Sequence, residues 1–238
     1  MNTSIDNLTM EETLSRIGGA IDTRQQIHHV VVNAAKMVAM QSDLELRKSV
    51  NEADLINADG QAVVWASRFL GKPLKERVAG IDLMENLVEY AYLHNYTIYL
   101  LGATEAVLEC VVKKYRENYS KNLIAGYRDG YFSEEEQHEV AQQISASNAD
   151  MLFVAISSPK KEHFLFKQKS ILTNIPFIMG VGGSFDVVAG KVKRAPKWMQ
   201  QCGLEWFYRF LQEPKRMWRR YFYGNARFLW LLIKEKMG

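Results

Sequence analysis

Residues 53–60 read Ala-Asp-Leu-Ile-Asn-Ala-Asp-Gly, and the run Gln61 to Leu70 that follows has helical spacing of its apolar positions. An apolar strand here delivers Asp59 to its C-terminal end, and Gly60 lets the backbone turn before the helix. Open α/β sheets bind their ligands at such strand ends. Asp before an apolar-periodic run is also an ordinary helix N-cap, so this stretch alone leaves Asp59 open between cap and catalytic carboxylate.

Working outward, the same alternation recurs. Ile27 to Asn33 (IHHVVVN) is a β-branched run that ends on Asn33 and gives way to a helix from Ala34. His28 and His29 read as solvated imidazoles at the strand entrance. Tyr96 to Gly102, Leu123 to Tyr127, Met151 to Ile156 and Pro176 to Val181 are further apolar strands, each followed by small or polar turn residues and a helical stretch. Thr9 with Glu12 and Ser133 with Glu136 have capping-box spacing, and Asp82 reads as the cap of a helix over Leu83–His94. This pattern predicts a mostly parallel, Rossmann-like sheet covered by helices on both faces.

Several strand ends carry side chains suited to anions. Gly102-Ala103-Thr104 opens a helix after the clearest buried strand, and Gly182-Gly183-Ser184-Phe185-Asp186 forms another small-residue turn; helix N-termini there offer free N–H groups and the positive end of the dipole. Neither turn is a full GxGxxG. After Met151–Ile156 comes Ser157-Ser158-Pro159-Lys160-Lys161-Glu162, where two lysines in a first helical turn oppose the dipole and call for an anionic partner. Arg77, in the polar loop before Asp82, is either a bidentate phosphate or carboxylate ligand or an ordinary surface arginine.

The net charge of +3 over 238 residues hides an asymmetry. Residues 191–238 carry 12 Lys/Arg against 3 Asp/Glu, and residues 1–190 carry 18 against 24. The tail also holds Trp198, Trp206, Trp218 and Trp230, four of the five tryptophans. From Ala195 the pattern is purely helical, with breaks expected at Pro214 and Gly224-Asn225, and Arg209, Arg216, Arg220 and Arg227 fall on one face if those breaks are mild. Basic helices interleaved with aromatic rings suit an anionic membrane surface. A nucleic-acid partner is not expected, because the body is acidic and no reading motif is present. Cys110 and Cys202 stand alone, which argues against disulfides and structural zinc and fits a reducing cytoplasm. No signal peptide and no run of about 18 apolar residues is found. The expected organisation is an α/β domain over residues 1–194 and a membrane-associating helical appendage over 195–238, with exposed tail aromatics favouring a homo-oligomer away from membranes.

Taken together, NADGQAVVWASRFLG, RVAGIDLM, SSPKKE, GVGGSFDVVAGKVKRAPKWMQ and GLEWFYRFLQEPKRMWRRY resemble the WecG/TagA/CpsF family of bacterial glycosyltransferases over nearly the whole chain. The resemblance implies a GT-E-like fold and an inverting, metal-independent transfer without cofactor. The sugar, of N-acetylmannosamine type or a related hexose, passes from a UDP-sugar to a sugar on polyprenyl diphosphate, at the inner face of the plasma membrane, in teichoic acid, capsule or exopolysaccharide synthesis. On that pattern Asp59 is the general base, Asn33 and Lys161 line its pocket, and Arg77 acts beside it. Arg209, Arg216 and Arg219 reach diphosphate oxygens; from their place at strand ends, rather than from the family pattern, Gly102, Thr104, Gly182, Gly183 and Asp186 are expected to contact the nucleotide sugar. The sequence departs from the family at Lys161, where many relatives carry Gln, and at Val31, where many carry Thr. The alternative reading is a non-catalytic, membrane-bound nucleotide-sugar-binding module in which Asp59 is only a cap.

Overall fold

The structure is a computed structural model that describes residues 3–237; for 215–217 and 219–221 only the backbone is described. In chain order the elements are α1 (Met10–Asp22), β1 (Ile27–Val32), α2 (Ala34–Ala39), α3 (Leu44–Asn51), β2 (Leu55–Ala58), α4 (Gln61–Phe69), α5 (Gly80–Leu93), β3 (Ile98–Gly102), α6 (Glu105–Asn118), β4 (Ile124–Arg128), α7 (Gln137–Ala146), β5 (Met151–Ala155), α8 (Lys160–Lys167), β6 (Phe177–Gly180), α9 (Ser184–Val188), α10 (Lys197–Gln201), α11 (Glu205–Gln212) and α12 (Pro214–Met237). The six strands are all parallel, in the order β2-β1-β6-β5-β3-β4. Every residue of β2, β3, β5 and β6 is buried, as continuous apolar strands in a sheet covered on both faces must be.

Alternation along the strands assigns the faces. Ile27, Leu55, Ile98, Leu100, Phe153, Phe177 and Met179 pack with residues of α1, α5, α6 and α9. Val30, Val32, Ile56 and Ala58 point the other way, to α2, α3, α4 and α12, and Leu101, Leu152, Val154 and Ile178 to α7 and α8. His29 is fully buried, not solvated: its position on β1 turns it under α1, where Nε2–H donates to Asn57 Oδ1 at 2.8 Å. Burial holds its imidazole down to about 4, so it packs as a neutral polar pair.

Helix starts follow local chemistry. Thr9 and Glu12 form the reciprocal capping box of α1, Asn33 caps α2 and Asp43 caps α3. The Ser133–Glu136 box forms as well, but regular helix begins only at Gln137. Asp82 is not a cap: α5 starts two residues earlier, at Gly80, and Asp82 lies in its first turn. In the tail, Pro214 opens a helix at its first position, a place proline tolerates. No break occurs at Gly224-Asn225; α12 runs through to Met237. Glycine in a helix interior costs about 1 kcal/mol, and burial of Phe228 and Leu232 against α2 and its neighbours more than offsets it. Truncating both to alanine removes about 3–5 kcal/mol for the Phe and about 2–5 kcal/mol for the Leu. We expect this to free the end of α12 rather than to unfold the sheet: amides of residues 226–237 should lose hydrogen-exchange protection while those of β3 and β5 keep theirs. Loss of protection in both regions would instead make α12 part of the sheet's cooperative unit.

Candidate active site

The C-terminal ends of β2, β1 and β6 lie side by side, because β1 pairs with both of the others. Asp59 leaves β2 with its backbone N–H still donating to Val32 O at 2.9 Å. Its carboxylate does not cap α4, whose N-cap is Gly60 with no side-chain bond. Instead Oδ1 accepts the N–H of Gly80, the first residue of α5, at 3.1 Å. Burial raises the carboxyl above the ordinary aspartate value, and the Gly80 N–H and the Arg77 guanidinium pull it only part of the way back. A half-buried carboxylate with a raised pKa and one oxygen not held by the backbone is suited to take a proton. Asn33, at the end of β1, touches the same turn: a Cβ added at Gly60 would meet Asn33 Cβ at 3.2 Å. Its Oδ1 is engaged with Lys36 N at 3.0 Å.

Around this carboxylate the tail supplies charge. Arg77 Nη1 lies 3.2 Å from Glu205 Oε2 on α11. Glu205 Oε1 is 3.3 Å from Arg194 Nε, and Arg194 holds Asp82 with both Nη atoms, at 2.5 and 2.7 Å. One chain of alternating charge, Arg77–Glu205–Arg194–Asp82, thus ties the loop before α5 to α11. Arg209, one turn further along α11, extends over the β6 turn: a Cβ at Gly183 would lie 3.1 Å from Arg209 Nη2, and Arg209 Nε is buried with no hydrogen-bond partner among the described residues. Gly182 takes φ +55°, a backbone conformation that favours glycine, and Asp186 in the first turn of α9 pairs loosely with Lys191 at 3.5 Å. Gly182, Gly183, Asp186 and Arg209 are therefore neighbours.

Lys161 sits elsewhere, beneath this edge. Its Nζ is 2.9 Å and the Nζ of Lys36 is 2.8 Å from the same oxygen of Glu162, with all three side chains buried. The Lys161 stem lies flat on Gly180, where a Cβ would approach its Cε to 2.5 Å. Burial pushes the Glu162 carboxyl up, but the two ammoniums outweigh it and hold it down to about 2. For Lys161, one of the two lysines in the first turn of α8, the neighbouring side chain Glu162 is thus an anionic partner. A cavity of about 10 Å³, room for roughly one water, lies beside the triad and is lined by His28 among others. His28 is partly buried rather than solvated, and burial lowers its imidazole to about 4.

Gly102 ends β3 and Thr104 follows it at the start of α6, four strand positions from β2, or roughly 19 Å at the usual spacing. They share the edge of the sheet with Asp59 but not its immediate surroundings. Gly102 adopts φ +123°, and a Cβ there would collide with the Ala155 carbonyl at 2.6 Å; Thr104 caps α6 through Val107 N at 3.4 Å. The side chains of Arg216 and Arg219, and of Arg220, lie outside the described residues.

Sequence reading missed Glu205, Arg194, Lys36 and Glu162. Glu205 had a signal: it is one of only 3 acidic residues among the last 48, and an acid kept in a strongly basic tail marks a paired position. Lys36 and Glu162 had none, since nothing in the spacing shows that α2 and α8 face the same strip of sheet.

A family model described as the glycosyl transferase WecG/TagA/CpsF family matches residues 1–238. Two bacterial proteins, each named N-acetylglucosaminyldiphosphoundecaprenol N-acetyl-beta-D-mannosaminyltransferase, are similar to the chain. The one from Bacillus spizizenii is 40% identical over 171 residues, 72% of this chain and 65% of that protein, just under two thirds of its length. The one from Bacillus subtilis is 37% identical over 216 residues, 91% of this chain and 80% of that protein.

Proposed function

The chain belongs to the WecG/TagA/CpsF family of glycosyl transferases, and on that footing we propose that it moves a hexose of the N-acetylmannosamine type from UDP to a sugar carried on polyprenyl diphosphate. The relatives' names supply the lipid-linked acceptor and the type of sugar transferred. The observation that carries the mechanism is the Asp59 carboxylate at the end of β2, with its raised pKa and with Arg77 beside it. Asp59 takes the proton of the acceptor hydroxyl as that oxygen attacks the anomeric carbon. The bond from that carbon to the diphosphate breaks on the opposite face, so configuration inverts, and the electron pair leaves with UDP. Negative charge growing on the leaving oxygens is met by guanidinium groups, with Arg209 over the Gly182-Gly183 turn the best placed among the described residues. Arginine does here what a divalent cation does in other transferases, so activity is expected to persist in EDTA. Asn33 positions the acceptor, Gly182, Gly183 and Asp186 border the diphosphate, and Gly102 and Thr104 lie further along the edge, towards the nucleoside. Lys161 acts from below, through the triad, on the turn after β6.

Arg209→Ala tests the leaving-group assignment. Loss of one preorganised charge donor costs about 10²–10³-fold in kcat, and Arg209→Lys should recover only part of that, because an ammonium cannot match the guanidinium fork. Full activity in Arg209→Ala removes it from the mechanism. The wider reading is tested by turnover of a UDP-sugar panel on an undecaprenyl-like diphosphate-sugar acceptor in EDTA, with the anomeric configuration of the product determined.

A binding module without catalysis is favoured by one observation, the bond from Gly80 N–H to Asp59, which gives the carboxylate a structural task at the start of α5. Turnover separates the two readings.

Among the described residues no helix is long and apolar enough to cross a membrane. Contact with the lipid-linked acceptor at the inner face of the plasma membrane is therefore assigned, in this proposal, to the surface of the basic tail, where Trp206, Phe207, Leu211, Trp218, Phe222 and Tyr223 are exposed.

A further inference from the structure

α4 is apolar on both of its sides. Val63, Val64 and Ala66 are buried against the sheet, while Trp65 and Phe69, spaced i and i+4, project outward with 52% and 51% of their surfaces exposed. Two large aromatic rings on the outer face of a helix in the α/β body have no part in the core and none in the site described above.

The tail borders this face at both ends. At its start, Gln61 packs against Gly203 in the turn between α10 and α11, where a Cβ would come within 2.6 Å of Gln61 Cγ. At its end, the Lys236 ammonium of α12 lies 5.6 Å from the centre of the Phe69 ring. Leu229, Ile233 and Lys236 follow one another at i, i+4 and i+7, so they form one stripe of α12, and the Lys236 contact sets the end of that stripe beside α4. Leu229 and Ile233 are exposed, as is the adjacent Trp230. The charges carried by these two stretches are mostly positive: residues 61–72 contribute Arg68 and Lys72 with no acid, and residues 224–237 contribute Arg227, Lys234 and Lys236 against Glu235 alone.

We propose that α4 is part of the membrane-binding surface, with Trp65 and Phe69 seated at the boundary between headgroups and acyl chains of an anionic bilayer, alongside the outer stripe of α12. The inference rests on the reading of a lipid-linked acceptor and extends the contact from the tail to the body of the protein. Rings and aliphatic side chains flanked by cations gain from apolar burial and from anionic headgroups together. A second copy of the chain fits the patch poorly, because a two-fold interface sets the patch against itself and brings like charges together. Seating α4 also has a use. Its first residue follows Asp59-Gly60, and its 9 residues span about 13 Å, so the proposed base is held within one short helix of the lipid interface.

The test is the double variant Trp65→Ser/Phe69→Ser in the full chain, assayed by sedimentation with vesicles of phosphatidylglycerol and phosphatidylcholine, by turnover on a short-chain, water-soluble acceptor, and by analytical ultracentrifugation without lipid. Partitioning onto anionic vesicles is expected to fall at least about 10-fold, as loss of two interfacial aromatics requires. Turnover on the soluble acceptor should stay within about 2-fold of wild type, which also shows that the variant folds. Arg68→Glu, with both rings intact, should weaken binding to anionic vesicles and leave the weak binding to neutral ones unchanged. If wild type binds anionic vesicles and the double variant binds equally well, α4 is not a membrane contact, although the tail remains one. If wild type binds no vesicles at all, the lipid-surface reading fails as a whole. A wild-type dimer that the double variant dissociates would assign the patch to a second copy and overturn the proposal.

Discussion

Asp59→Asn is expected to lower kcat by about 10²–10⁴-fold, the range for loss of a general base, while leaving the protein at least as stable as wild type. The asparagine Oδ1 can still accept the Gly80 N–H, so the one structural bond of the carboxylate survives. Stability follows from the sign of the shift. A carboxyl whose folded pKa lies above its unfolded value binds its proton more tightly in the native state, so the native state loses stability as pH rises from the unfolded pKa through the folded one. At neutral pH the ionised Asp59 is therefore a cost to the fold, and an uncharged isostere relieves it. For the same reason the acid limb of kcat should fall at a pH above the ordinary aspartate range, and Asp59→Asn should abolish that limb. Thermal melts and a pH–rate profile on the two proteins decide the matter. Retained turnover in Asp59→Asn leaves the carboxylate as the anchor of α5 and returns the protein to the binding-module reading.

For stability the largest single effect belongs to Glu162→Gln. Removing one partner of a buried ion pair costs about 3–5 kcal/mol because the other charge is left without compensation, and here two ammoniums share the same carboxylate oxygen. The pH dependence has the opposite sign to that of Asp59. Glu162 is held down to about 2 in the folded protein, well below its ordinary 4.5, so its contribution is complete above about pH 4.5 and is lost as pH falls towards 2. Denaturant melts should accordingly show wild type and Glu162→Gln far apart at pH 7 and converging in that acid window. Lys36→Met leaves a neutral pair, Glu162 with Lys161, and should cost less than Glu162→Gln. The reverse order would mean that Lys36 carries the triad and that Glu162 is the dispensable member.

The fold was legible because strands buried on both faces leave an unmistakable trace, runs such as Met151–Ala155 and Ile98–Gly102 without a polar residue, each followed by a turn and a helix. Strand order was not legible. No local feature of Phe177–Gly180 shows that the last strand inserts between β1 and β5, and this insertion brings the Gly182-Gly183 turn beside Asn33 and Asp59. The same limit explains the errors of detail. Asp59 and Asp82 both stand where a capping residue belongs, but each is claimed by a partner distant in sequence, Gly80 for the first and Arg194 for the second. His29 has the sequence of a strand entrance and the surroundings of a core residue, because α1 lies over that end of β1. The break expected at Gly224-Asn225 failed for a related reason: propensity of about 1 kcal/mol is local, and the burial that overrides it comes from α2.

That helix, of 6 residues, has a consequence of its own. One end of α2 is Asn33, against the Asp59-Gly60 turn, and its flank is where Phe228 and Leu232 grip the body. α12, with 24 residues, is a rod of about 36 Å, and its clamp is thus a lever whose short arm ends at Asn33. Less than two turns of helix therefore separate the grip on that rod from Asn33, with no loop between, so a shift of the rod on the body would reach Asn33 directly.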